Sequence, residues 1–440
     1  MSAYPLCYDR TCLELALGRR SDLKSALAPL VLLAVVQVGC ATQTAPGRAA
    51  ETPSSHDDPA AQTPRDLDLG RAALGTGDLT AATIRLREAL RAQPDLPEAR
   101  ESLARALYAM GDLDGAVEEL RALLRRQPDA VRARYFLATT LMAKQDWPAA
   151  RRQLDEVVRR QPDLVEAHYS LGLVRYTQGD SAGAIESFRR VLARSPDHAD
   201  AHYNLALVLK VTHRDADATP EFLAAARSGH AGAQYFAGVA YARGLGVEPN
   251  LTQAITWWSR AAGQGSTEAA AALAELRQTA LGRGRPGATG RQAAESAFRD
   301  YRAAMWSEFP ELTRTGDDDS VGAALLRQGH GREAVPVLIR EASALSEPAQ
   351  SALEAIYLRG VDGQVPAHDG RILDYFKAAA DEGQARARIA LARCYATGLG
   401  VPKDMARAIS LLKATPHEDA QRLLQELQAA SEAAPAPARP

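Results

Sequence analysis

The sequence predicts an all-α chain built as a solenoid of αα-hairpin repeats, and three observations carry that reading. Four helix-ending phrases, Gln93-Pro94-Asp95, Gln127-Pro128-Asp129, Gln161-Pro162-Asp163 and Ser195-Pro196-Asp197, each lie 34 residues beyond the last. A small residue recurs at the same interval, at Ala82, Ala116, Ala150, Ala184 and Ala218. The composition is 46% apolar but only 5% aromatic, and much of the apolar part is Ala and Leu. Such a composition suits close-packed helices better than sheets, which draw on β-branched and aromatic side chains. At 440 residues a globular chain would split into domains, whereas a solenoid core grows along one axis without that limit.

The N-terminal segment reads as an address. Ala26 to Val38 is a short apolar run preceded by Arg19, Arg20 and Lys24. It is shorter than the roughly 20 residues a bilayer span needs and suits the hydrophobic region of a signal peptide. The run ends at Gly39-Cys40, with a polar stretch beyond. This resembles a bacterial lipoprotein signal, in which the Cys after a small residue is lipidated and becomes the mature N-terminus. The resemblance implies a signal peptide over 1–39, a lipid anchor at Cys40 and a periplasm-facing, membrane-anchored location, at the outer membrane where one exists. Gln37 departs from the small apolar residue usual there, and a cytoplasmic chain is the alternative. Residues 40–62 are rich in Ala, Thr, Pro and Ser and read as a flexible tether.

The repeats follow. A turn precedes each recurring Ala, as in Gly77-Asp78, Gly111-Asp112, Gln145-Asp146 and Gly179-Asp180. A Gly past a helix end accepts left-handed backbone, and the Asp after it can cap the next helix. The Ala lets two antiparallel helices approach, and the Pro stops the second helix because it cannot donate into the ladder. This spacing and residue pattern resembles the tetratricopeptide repeat (TPR), with units over 63–96, 97–130, 131–164, 165–198 and 199–229. The resemblance implies a right-handed superhelix with a concave, protein-binding face. The first unit lacks first-helix aromatics; the fifth has His213 in place of the turn Gly and no closing Pro.

From His230 to Gly265, the Gly244-Leu245-Gly246-Val247 turn, Ala254, Trp257-Trp258 and Ala261-Ala262 resemble the Sel-one-like repeat, a TPR relative with a longer internal loop. The signature returns with Gly398-Leu399-Gly400-Val401 and Ala408, and a looser copy spans about 346–383, its loop expanded through Val361–Asp369. We read 230–280 as one such repeat with a partial one and 281–318 as a linker containing a helix. Residues 319–415 read as further TPR/Sel-one-like repeats, 416–431 as a capping helix and 432–440 as a disordered tail.

The resemblance places the binding groove on the first helix of each TPR unit. Tyr135, Tyr169 and Tyr203 recur every 34 residues, and Tyr108 and Tyr176 are two repeats apart. Arg105, Asn204, Glu98, Arg132, Glu166, Asp200 and Lys210 occupy neighbouring offsets. Aromatics with satellite charges suit an extended peptide, although the same Tyr positions also serve packing between helices. His198 and His202 lie four apart, on one helical face, but no third ligand is near in sequence, and we assign no metal. Trp257-Trp258 is a stacking platform or core, with core preferred and Trp258 the more exposed of the two.

Asp317-Asp318-Asp319 lacks the spaced ligands of a calcium loop, and Gly282–Gly290 lacks the Lys-Ser/Thr ending of a phosphate loop. No cofactor is expected, and no catalytic motif is present. With a formal charge of −2, the chain has no basic excess for nucleic acid. These readings converge on a non-enzymatic protein-binding scaffold, exported and lipid-anchored, of the kind that assembles secretion or polysaccharide-export machinery. An envelope carbohydrate-binding module is the alternative.

Overall fold

A computed structural model describes residues 59–282, 287–312 and 320–432. The signal segment with Cys40, the tether up to residue 58, residues 283–286 of the Gly/Arg linker, Asp317–Asp319 and the tail from 433 lie outside the described residues. The chain divides into two compact units, with the division between Gln234 and Tyr235.

The first unit is a run of five hairpins. They are α1 (Pro59–Thr76) with α2 (Leu79–Ala92), α3 (Pro97–Ala109) with α4 (Leu113–Arg126), and α5 (Val131–Ala143) with α6 (Trp147–Arg160). After them come α7 (Val165–Thr177) with α8 (Ser181–Arg194), and α9 (Ala199–Val211) with α10 (Asp215–Arg227). Helix α1 starts four residues inside the segment read as a tether to residue 62. Pro59 suits a first helical position, and two alanines follow it.

The turns work as the residue types predict. Gly77, Gly111 and Gly179 have φ of 83°, 82° and 83°, and Gln145 and His213 hold the same left-handed conformation at 60° and 59°. The Asp78, Asp112, Asp146 and Asp180 carboxylates accept the backbone N–H three residues on, at 2.9, 2.9, 3.1 and 2.9 Å. The recurring alanines of the second helices are all buried. Beside them a larger side chain, Leu86, Leu120, Leu154, Phe188 or Phe222, fills the space between the paired helices.

Helix α11 (Ala231–Arg243) carries the division between units. The second unit continues with α12 (Leu251–Gly263), α13 (Thr267–Ala280), α14 (Ala288–Met305), α15 (Val321–Arg327) and α16 (Gly331–Ser343). It ends with α17 (Glu347–Arg359), α18 (Gly370–Asp381), α19 (Ala385–Thr397), α20 (Met405–Lys413) and α21 (Glu418–Glu432). One core cluster runs through it, from Ile255 and Trp258 to Leu412 and Ala420.

Inside the segment read as a linker, α14 is a core helix. Its Ala294, Ala297, Phe298, Tyr301 and Met305 form a buried stripe at helical spacing. Arg302 donates to the Ala344 carbonyl at 2.5 Å, and Arg340 pairs with Glu308 at 2.8 Å. These bonds tie the helix to the hairpin that follows. The expanded loop is also structural. Gln364 accepts the Gly331 N–H at 2.7 Å and donates to the Gly329 carbonyl at 2.8 Å, clamping the turn between α15 and α16. Cys394 is buried with a free thiol.

Candidate protein-binding site

The tyrosines at the fifth position of α5, α7 and α9 face the next repeat. Tyr135 Oη shares a hydrogen bond with Ser170 Oγ at 3.2 Å, and Asn204 Nδ2 donates to Tyr169 Oη at 3.0 Å. The Tyr169 ring stacks on His198 with centroids 5.2 Å apart, and Tyr203 stacks on His230 at 4.1 Å. A residue repeated every 34 positions meets the following first helix, so each ring wedges into the seam between repeats. Tyr169 is 9% exposed and Asn204 3%, which corrects the expectation that both line the groove. Burial raises the Tyr169 phenol pKa, and Asp200 adds to the rise. His230 is pushed down by burial, with Asp200 opposing. Tyr135 and Tyr203 keep partial exposure, yet both are engaged in these seams.

Three predicted residues keep surface to offer. Arg105 is exposed on α3 and held by Glu101 at 2.6 Å. Tyr108, one turn on, is half-buried with its ring edge-on to Phe136 at 5.7 Å. Tyr176 occupies the corresponding place on α7, also half-buried. Glu98, Arg132 and Glu166 are exposed near the starts of α3, α5 and α7, so the first-helix face mixes both signs of charge.

A second device was missed in sequence. The fourth residue of each first helix reaches back to the proline carbonyl that closes the preceding repeat. Arg100 bonds Pro94 O at 2.6 Å, Arg134 Pro128 O at 2.6 Å, His168 Pro162 O at 2.8 Å and His202 Pro196 O at 2.7 Å. Three of the four also hold a second helix: Arg100 to Glu119 at 2.6 Å, Arg134 to Gln153 at 3.0 Å and His202 to Glu221 at 2.6 Å. The signal was available, since a polar residue always stands six positions after the closing Pro. It went unread because Arg and His look unrelated until both are seen doing one task.

This geometry also separates His198 from His202. Both His202 nitrogens are engaged by Glu221 and Pro196, while His198 Nδ1 accepts the Ala201 N–H at 3.3 Å as a helix cap. Among the described residues no group of three His, Cys, Asp or Glu side chains is placed to hold a metal ion. Trp257 and Trp258 are 7% and 5% exposed, the core placement preferred from sequence, although Trp258 is not the more exposed of the two. Its indole N–H donates to the Tyr235 carbonyl at 3.2 Å, and Gly238 lies flat against its ring, where a Cβ would collide with Cδ1 and Nε1. A stacking platform there has no accessible face.

Stacked hairpins, capped alike and closed alike, define a helical-repeat protein of a class that generally serves as non-catalytic interaction modules. The tetratricopeptide-repeat family matches residues 67–130, 102–144, 137–193 and 169–229, and the Sel1-repeat family matches 231–266 and 385–414. The chain carries tetratricopeptide repeats followed by Sel1 repeats. No curated protein matches it. Among solved structures, a crystal structure of MamA protein is 22% identical, covering 40% of this chain and 95% of its own, with a TM-score of 0.37. MamA from Desulfovibrio magneticus RS-1 is 22% identical, covering 38% and 94%, with a TM-score of 0.37. YrrB, described as a TPR protein with an unusual peptide-binding site, is 19% identical, covering 37% and 84%, with a TM-score of 0.35.

Proposed function

We propose that this chain is an exported, lipid-anchored adaptor that holds partner proteins on the first-helix face of its TPR unit. The carrying observation is the exposed remainder of that face: Arg105 and Tyr108 adjacent on α3, and Tyr176 at the corresponding position on α7. Each aromatic is rigid, half-buried and amphipathic, and such side chains with Arg dominate interface energetics. The mixed charge around them favours a partner with alternating charges over a single carboxylate terminus. The order of charge, apolar run and Gly39-Cys40 supports the anchor, and envelope assembly, in secretion or polysaccharide export, is the setting that a lipidated scaffold fits.

The deciding experiment is intact mass and membrane fractionation of the protein from its native host, with Cys40→Ala in parallel and crosslinked partners recovered from each. A lipidated chain beginning at Cys40, released from membrane by the substitution, is the expected result. Partner recovery should fall at least roughly tenfold in Tyr108→Ala/Tyr176→Ala. An unmodified soluble chain retaining Met1 would overturn the anchor and leave the scaffold standing. Unchanged recovery from the tyrosine variant would overturn the groove.

A further inference from the structure

The second helices of the first four TPR units carry a set of exposed arginines. Arg87 and Arg91 on α2, Arg121 and Arg125 on α4, Arg152 on α6 and Arg189 on α8 are all exposed. None of their guanidiniums forms an ion pair or hydrogen bond with another described residue. Arg87, Arg121 and Arg189 share one repeat position, with Asp155 in that place on α6, while Arg91 and Arg125 stand one turn later and Arg152 one turn earlier. Positions separated by three, four or seven residues share one helical face, so all six lie on the same face of their helices.

The ends of these helices are tied from repeat to repeat. Arg126 at the end of α4 pairs with Asp95 beyond α2 at 3.1 Å, Arg160 of α6 with Asp129 beyond α4 at 3.3 Å, and Arg194 of α8 with Asp163 beyond α6. The six guanidiniums therefore recur along one face of four successive repeats, as a band with Asp155 set into it and paired with Arg151.

The acids on the same helices do not neutralise it. Glu88, Asp114, Glu119, Asp155, Glu156 and Glu186 are each engaged by another cation, which leaves Glu118 as the free acid among them. Arg91 and Arg125 sit in last turns, where a cation suits the helix dipole. Arg87, Arg121, Arg152 and Arg189 have no such explanation. Like charges at i,i+4, as in Arg87/Arg91 and Arg121/Arg125, destabilise an isolated helix. The chain as a whole has a formal charge of −2, so the band reflects segregation of charge rather than a general excess.

We propose that this arginine band is a second docking surface, distinct from the first-helix groove, and that it takes an acidic polypeptide segment of a partner protein. Three features choose that occupant. Guanidinium forks match carboxylates bidentately. An extended chain rises about 3.3 Å per residue, so a segment of about twelve residues spans roughly 40 Å and can reach several of these helices, each a rung of the band. A solenoid turns slightly from repeat to repeat, so the band is curved. A flexible chain follows a curve, whereas a flat bilayer meets one or two rungs.

The test is fluorescence anisotropy of the full chain with a labelled extended peptide of about twelve residues, carrying Glu at every third position. The expected result is binding that weakens with salt. It should be lost at least roughly tenfold in both Arg121→Glu/Arg125→Glu and Arg152→Glu/Arg189→Glu, and kept in Tyr108→Ala/Tyr176→Ala. If a charge reversal disturbs folding by circular dichroism, the Arg→Gln versions replace it. Equal binding by wild type and band variants, or by the Glu peptide and its Gln counterpart, would overturn the proposal. So would sedimentation with phosphatidylglycerol vesicles that depends on the band when the peptide does not bind, because the surface would then belong to a lipid headgroup.

Discussion

Glu341 has 0% exposure, and its carboxylate accepts Ser320 Oγ at 2.7 Å, the Val321 N–H at 2.7 Å and the Gly322 N–H at 3.1 Å. It satisfies the free amides that open α15, a helix of 7 residues with little internal stability. Burial raises its pKa, while the Ser320, Gly322 and Val321 bonds and Arg340 pull the other way. A carboxyl whose folded pKa is raised stabilises fully below its unfolded value and loses that contribution as pH rises through the folded one. In urea melts of the full chain, followed by a probe in α16, the stability difference between wild type and Glu341→Gln should shift against the wild type as pH rises from acid toward neutral. Glu341→Ala should cost about 1–3 kcal/mol, because two buried amides lose their acceptor. A difference that does not move with pH would remove Glu341 as a source of pH dependence. Nothing at position 341 announces this role in sequence, since a Glu near a helix end is ordinary. Tyr169 and Asn204 show the converse: their repeat spacing was legible, but whether a side chain at that spacing faces a groove or a seam depends on the neighbour it meets.

At the scale of helices, one packing rule recurs with different partners. A small residue on each first helix faces a large one on the second, and Gly70, Gly172, Gly238 and Gly322 leave no room for a Cβ beside Leu86, Phe188, Trp258 and Leu338. Where the small residue is Ala206, its counterpart at the same spacing is Phe222, and both are buried. Gly238→Ala should therefore destabilise by about 1–3 kcal/mol through overpacking against Trp258. Adding Trp258→Phe should restore part of it by recreating the Ala206–Phe222 combination. Thermal melts of the two variants decide the point, and a double variant no better than the single would show that ring size is not the constraint. The hairpins, their turns and caps could be read directly from residue types, because local backbone chemistry dictates them. Helix α14 was readable as a helix but not as core, since an amphipathic stripe does not say which surface will cover it.

For the molecule as a whole, the division between units falls at Gln234–Tyr235, not in the Gly/Arg segment that interrupts the repeats. Within the second unit, Arg277 of α13 is buried and grips the Glu382 carboxylate with two guanidinium nitrogens, one bond measuring 2.7 Å. It also reaches the Ser343 carbonyl at 3.5 Å. That pair joins elements 105 residues apart, across the stretch read as a linker. Arg277→Met should cost about 3 kcal/mol by leaving Glu382 with a lost partner in a mostly buried site. Hydrogen exchange should then speed up in α13 and α18 together. Exchange that rises in α13 alone would mean the two elements are not coupled through this pair.

The sequence by itself determined the repeat class, the hairpin order, the turn glycines and the capping aspartates, because each depends on interactions within about 34 residues that every repeat restates. Only the tertiary structure decided which tyrosines are spent in seams, that Trp258 is buried against Gly238, that Arg and His share one closing bond, and that the helix inside the apparent linker is core. Those outcomes depend on which surfaces meet across repeats, and a periodic pattern specifies that surfaces will be covered without specifying by what.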